Sequence, residues 1–147
     1  MEDYNWLDMM EKMNEIRLFS SLHIRGKRKG ATSPREIDML SRIFISDEAK
    51  TPLDLSVLMG LSKSAVSRLI ESLVKKEFLE KQYSEKDKRS YTLYITEKGH
   101  QELQQAYQHY LKPIYKLRRT IGEERFNSLL TQIKETNCML QNKEVTK

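Results

Sequence analysis

Two clusters in this chain carry side chains suited to holding a polyanion. The first is Ser62-Lys63-Ser64-Ala65-Val66-Ser67-Arg68, with Lys75 two helical turns further on. Hydroxyl, ammonium and guanidinium groups donate hydrogen bonds to phosphates and to base edges, and the free amides at a helix N-terminus favour anions. The second is Lys86-Asp87-Lys88-Arg89, between two short strand-like runs. A guanidinium there suits a narrow electronegative groove, and a carboxylate two residues before it can hold it in one direction. Each cluster alone has a plainer reading: Ser62 and Ser64 as helix caps with Lys75 as solvated surface, and the charged tip as a solvated turn.

Other chemistry has less to work with. The chain has no Gly-x-Ser-x-Gly elbow and no phosphate-binding glycine loop, so no enzyme and no cofactor are expected. His100 and His109 are nine residues apart, which turns them about 180° from each other on one helix. No metal site is expected from them. The single cysteine, Cys138, excludes an internal disulfide and any site of paired thiolates. Beside Met139 and Leu140 it reads as a small buried apolar residue.

The elements that position the two clusters follow from periodicity and punctuation. The 147 residues fit one domain, and 38% hydrophobic residues with only five Gly and three Pro describe a helix-rich chain able to form a core. From Tyr4 to Leu22 apolar residues recur at three- and four-residue spacings, predicting a long amphipathic helix. Ser33-Pro34-Arg35-Glu36 and Thr51-Pro52-Leu53-Asp54 are capping boxes that open the second and third helices. Ile37, Leu40, Ile43 and Phe44 are the predicted buried stripe of the second, and Leu55, Leu58 and Met59 that of the third. Gly60 closes the third helix and Ser62 caps the fourth, giving two short helices joined by a tight turn. On that fourth helix Ala65, Val66, Leu69, Ile70, Leu73 and Val74 form a core face, opposite Ser64, Ser67, Arg68, Glu71 and Lys75. Period-two alternation over Leu79–Tyr83 and Tyr91–Ile95 predicts a β-hairpin with a charged tip. A helix from Glu97 toward Arg119, kinked at Pro113, and a last helix from near Glu123 complete the chain.

The charge distribution supports the polyanion reading. Lys and Arg number 26 against 21 Asp and Glu, a net +5, and residues 61–98 hold nine basic and six acidic residues. The basic run from His23 to Arg35 could touch phosphates or simply keep a linker solvated. No apolar run approaches the roughly 18 residues of a membrane span, and the start MEDYNWLDMMEK lacks a basic leader, so a soluble cytoplasmic protein with no membrane partner is expected.

The order of elements and the segment Asp87-Lys88-Arg89-Ser90-Tyr91-Thr92-Leu93-Tyr94-Ile95-Thr96-Glu97-Lys98-Gly99 resemble the multiple antibiotic resistance regulator (MarR) family of bacterial transcription factors. The resemblance lies in an Asp and an Arg two apart, then a Thr and a Gly three apart. Leu61 to Leu69 is similar to the start of that family's recognition helix. This chain has Glu77 where family members usually carry Gly, and Lys81 where they often carry Arg. The resemblance implies a mainly α fold with a small β-hairpin: a winged helix-turn-helix over residues 33–99, with dimerisation helices in 1–30 and 100–147. It implies a dimeric regulator of double-stranded DNA. Ser62, Lys63, Ser64, Ser67, Arg68 and Lys75 would serve the major groove, and Lys86, Asp87, Lys88 and Arg89 the wing, with Arg89 in the minor groove supported by Asp87. It also implies a small-molecule effector seated between the dimerisation helices and the winged part. The alternative from another class is a winged helix that docks on proteins and never touches DNA. Apolar stripes on the first and the last two helices, longer than a small winged body can cover, argue for a homodimer.

Overall fold

The computed structural model describes residues 5–22, 30 and 32–144. Of the basic stretch 23–35, residues 23–29 and 31 lie outside the described ones. In chain order the elements are α1 (Trp6–Leu22), α2 (Pro34–Ile45), α3 (Pro52–Met59), α4 (Lys63–Lys75), β1 (Leu79–Tyr83), β2 (Tyr91–Ile95), α5 (Glu97–Tyr110), α6 (Lys112–Ile121) and α7 (Glu123–Glu144). The fold is mainly α with one antiparallel hairpin, the winged helix-turn-helix expected from the sequence. Leu79 pairs with Ile95 and Tyr83 with Tyr91 at the two ends of the hairpin, and Leu93 N–H donates at 2.8 Å to the Lys50 carbonyl, adding an isolated bridge ahead of α3.

The helix starts form as their caps dictate. Ser33 Oγ accepts from Glu36 N–H at 3.2 Å while Glu36 Oε2 accepts from Ser33 N–H at 3.1 Å. Thr51 and Asp54 repeat the exchange at 3.1 and 2.9 Å, and those hydrogen bonds, the backbone amide of Thr51 foremost, lower the Asp54 pKa. Gly60, at φ 62°, closes α3 in a Schellman turn, with Leu61 N–H on the Ser56 carbonyl. One core, built from Met39 and Leu40 of α2, Leu55 of α3, Val66, Ile70 and Leu73 of α4, Leu93 of β2 and Leu103 of α5, lies between these elements. The stripes of the short helices are narrower than expected. Phe44 is 45% exposed although the His100 ring of α5 lies 5.0 Å from it, and Leu58 is 36% exposed, so neither stripe is fully covered. Met39, not among the predicted stripe, is fully buried.

Two long helices also differ from expectation. The helix predicted from Glu97 to Arg119 is broken, not kinked: α5 ends at Tyr110 and α6 begins at Lys112. Pro113 has no N–H for the carbonyl four residues earlier and its ring crowds that turn. In α1 the apolar groups are not confined to a stripe. At 100° per residue Leu7 and Leu18 point away from Trp6 and Met13, and Phe19 lies further round still. Trp6, Leu7, Met9, Met10, Met13, Ile16, Leu18 and Phe19 are all exposed in the protomer.

The joint between α4, the hairpin and α5 is tight. A second Schellman turn ends α4, with Phe78 N–H on the Leu73 carbonyl at 2.9 Å and Glu77 N–H on the Val74 carbonyl at 3.0 Å. Glu77 occupies the left-handed position at φ 64°, which favours glycine. Thr96 Oγ1 donates to the Glu77 carbonyl at 2.6 Å and accepts from Gly99 N–H at 3.0 Å, capping α5 on that turn. A Cβ on Gly99 would stand 2.2 Å from the Phe78 carbonyl oxygen, so only glycine permits this approach.

A buried charge joins the start of α2 to the end of α4. Glu36, 6% exposed, accepts from Ser72 Oγ at 2.7 Å and from Lys76 Nζ at 2.8 and 3.0 Å. Burial raises its pKa, but the hydrogen bonds from Lys76, Ser72 and the Ser33 amide outweigh burial and hold the carboxyl below its usual range. A lowered carboxylate pKa contributes stability that is present above the unfolded value and is lost as pH falls through the folded one.

Two expectations follow. Glu77→Gly relieves the left-handed strain at the cost of an ion pair with Lys98 whose side chains are 58% and 78% exposed; the urea midpoint should rise with unchanged slope, by about 0.5–1 kcal/mol in stability. Glu36→Gln should cost about 2 kcal/mol at pH 7, less than the roughly 3–5 kcal/mol of a fully buried broken pair because Lys76 is partly open to solvent. The difference from the parent should shrink below about pH 4.5, the unfolded carboxyl's value. A Glu36→Gln cost that stays constant from pH 7 to 3 would show that the charge contributes nothing.

Candidate nucleic-acid interface

Burial of Val66, Ile70 and Leu73 fixes the rotation of α4 about its axis, leaving Lys63, Ser64, Ser67, Arg68, Glu71 and Lys75 exposed. Ser62 is an N-cap: its Oγ accepts from Ala65 N–H at 3.2 Å and lies 3.2 Å from Ser64 Oγ. The plainer reading of Ser62 is therefore realised, whatever further contact its hydroxyl makes.

The hairpin tip is organised by Asp87, though not through the guanidinium. Its Oδ1 accepts from Arg89 N–H at 3.0 Å and its Oδ2 from Ser90 Oγ at 3.1 Å, and its carbonyl accepts from Ser90 N–H at 3.1 Å. The carboxylate fixes the backbone that carries Arg89. Among the described residues no carboxylate pairs with the guanidinium itself.

The two clusters meet in an open cleft of about 460 Å³ lined by Thr51, Pro52, Leu53, Lys63, Ser67, Arg89, Ser90 and Tyr91. Of the ten predicted site residues, the structure brings Lys63, Ser67 and Arg89 together there. Ser62 caps α4, Ser64, Arg68 and Lys75 lie elsewhere along it, and Lys86, Asp87 and Lys88 are at the hairpin tip. Thr51, Leu53 and Tyr91 line the cleft without having been singled out. Thr51 had a signal, since in a helix-turn-helix the cap of the first helix lies beside the start of the second. Leu53 had none beyond being apolar at a first turn, and it is 61% exposed. The hydroxyls of Thr51, Ser67 and Ser90 and the two cations Lys63 and Arg89 on one concave surface can hydrogen-bond an anionic backbone and leave α4's face open to base edges.

The remaining candidates are dispersed. His100 stacks on Phe44 with centroids 5.0 Å apart, and His109 meets the Tyr110 ring edge-on at 5.3 Å. Among the described residues no three His, Cys, Asp or Glu side chains are grouped to hold a metal, and no helix is long and apolar enough to cross a membrane. Cys138, expected to be buried, is exposed on α7.

The capped helix pair, the hairpin wing and the open α4 face define a winged helix-turn-helix. Residues 32–90 match the model of the MarR family. Solved structures agree over nearly its whole length. A MarR/EmrR family transcriptional regulator from Acinetobacter sp. ADP1 is 22% identical with a TM-score of 0.74, covering 96% of this chain and 99% of that one. A mutant MarR from E. coli, complexed with operator DNA, is 16% identical with a TM-score of 0.74, covering 91% and 99%. The PcaV transcriptional regulator from Streptomyces coelicolor, in complex with its natural ligand, is 12% identical with a TM-score of 0.64, covering 92% of each. At these identities the likeness is one of fold. No curated protein matches the chain.

Proposed function

We propose that this protein is a cytoplasmic, homodimeric transcriptional repressor that reads a pseudo-palindromic DNA site and has no catalytic role. The observation that carries the reading is the shared cleft: Lys63 and Ser67 of α4 and Arg89 of the wing line one open surface. In this reading residues 33–99 are the DNA-binding part. Helix α4 enters the major groove, roughly 12 Å wide, with Lys63, Ser64, Ser67 and Arg68 at base edges and phosphates, and with Ser62 and Lys75 toward the backbone. Arg89 enters the minor groove, where A/T-rich sequence narrows the groove and concentrates negative potential. Asp87 keeps its backbone in place, and Lys86 and Lys88 meet phosphates. That a MarR with this fold was crystallised on operator DNA supports the mode.

Residues 1–30 and 100–147 are the dimerisation part in this reading. Helix α1 exposes apolar groups on all sides, and Ile133, Met139 and Leu140 of α7 are 37%, 64% and 58% exposed. A second copy would cover them, and a two-fold protein suits a two-fold site. A small-molecule effector between these helices and the winged part would release DNA; PcaV, of like fold, holds its natural ligand.

The test separates helix from wing. Arg89→Ala should weaken binding to all duplexes, flatten the salt dependence by about one unit per contact and two per dimer, and shift preference mainly through A/T content. Ser67→Ala or Lys63→Ala should relax preference at particular base pairs, at about 1–3 kcal/mol for a base-contacting residue. An Arg89→Ala protein with the parent's affinity and salt slope would return the wing to the docking-module reading. Light scattering at micromolar concentration should give twice the 17.4 kDa protomer; a stable 17.4 kDa particle would overturn the dimer.

A further inference from the structure

On the inner face of the hairpin Leu79, Lys81 and Tyr83 stand opposite Ile95, Leu93 and Tyr91. Leu79 and Leu93 are core residues, so Lys81 is a cation among apolar neighbours, with 18% of its side chain exposed. Its Nζ lies 2.5 Å from Glu71 Oε1 and 4.8 Å from the centroid of the Tyr91 ring. Tyr91 in turn packs on Tyr83 with centroids 5.5 Å apart. The hydrogen bond to Glu71, against the opposing effect of burial, raises the Lys81 pKa.

Glu71 is the odd member of its surroundings. It stands one turn beyond Ser67 and one before Lys75 on the exposed side of α4. A carboxylate on a face that approaches phosphates opposes binding by simple charge. Nor does it add much to stability, because an ion pair whose carboxylate is 66% exposed is weak. What the pair fixes is direction. Lys81 reaches from the hairpin to α4 and supports Tyr91, which lines the cleft two residues after Arg89.

We infer that Glu71 and Lys81 are positioning residues, a latch from α4 through Lys81 to Tyr91 that sets where the wing holds Arg89 relative to Lys63 and Ser67. This rests on the reading that α4 and the wing meet DNA together. Neither residue contacts the DNA. The cost of one negative charge on the binding face is offset by a wing held at a single angle.

The sign of one substitution tests it. Using a duplex selected by the parent from a random-sequence pool, Glu71→Gln should weaken binding about fivefold although it removes a negative charge; equal or tighter binding would overturn the latch. Lys81→Met should weaken binding and Lys81→Arg should restore it, since a guanidinium also pairs with Glu71 and stacks on Tyr91. In the Lys81→Met background the loss caused by Arg89→Ala should be several-fold smaller than in the parent. Equal losses in the two backgrounds would also overturn it. If the parent selects no duplex, the DNA-binding reading fails, and the latch is judged on the free protein by residual dipolar couplings of hairpin and α4 amides. These should report one relative orientation in parent and Lys81→Arg, and another in Lys81→Met and Glu71→Gln. The same orientation in all four would overturn the latch without reference to DNA.

Discussion

One backbone contact sets how α4, the hairpin and α5 meet. The first turn of α5 rests on the Phe78 carbonyl at a distance that no side chain tolerates at Gly99. Because Phe78 is also where α4 ends and β1 begins, helix, hairpin and α5 share one fixed point. The Thr96 hydroxyl completes the joint by bonding both sides of it, the Glu77 carbonyl and the Gly99 amide. Two residues three apart, which look like a sequence signature, are thus the two halves of one steric and hydrogen-bonded joint.

Around that point the structure places polar groups by two different means. Buried residues set the rotation of α4, and every exposed group on it follows from Val66, Ile70 and Leu73 being inside. Charge sets the rest. Glu36 ties the start of α2 to the end of α4 from within, while Lys81 ties the middle of α4 to the wing from the rim. A buried carboxylate left without Lys76 would be costly, so the first tie also discourages alternative packings of α4.

What could be read from the chain alone was whatever is decided within about four residues. Both capping boxes, the Gly60 turn, the two faces of α4 and the ends of both strands were legible, because spacing and local hydrogen bonding dictate them. Other features depend on what lies across from a residue. Phe44 and Leu58 keep the period of a buried stripe, but exposure depends on how wide a neighbour covers them. Pro113 announced a disturbance, yet a bend and a break differ only in whether the turn at Leu111 is repaired. Of the candidate site, both clusters were visible but their meeting was not: Lys63 and Arg89 are 26 residues apart and Thr51 was legible only as a cap. Glu71 and Lys81, ten residues apart on different elements, left no local pattern at all.

The all-round apolar surface of α1 has a spectroscopic consequence. Trp6, the single tryptophan of the chain, sits on that helix with 66% of its surface open, away from the core that holds α2 to α5 together. Its emission therefore reports on whatever lies against α1 and is nearly blind to melting of the winged body. Five of the seven tyrosines lie on the other side of that division, with Tyr83, Tyr91 and Tyr94 in the hairpin and Tyr107 and Tyr110 in α5. Selective excitation of the indole and differential absorbance of the phenols thus follow two regions of one unlabelled chain separately, and the order in which their signals change gives the order in which those regions come apart.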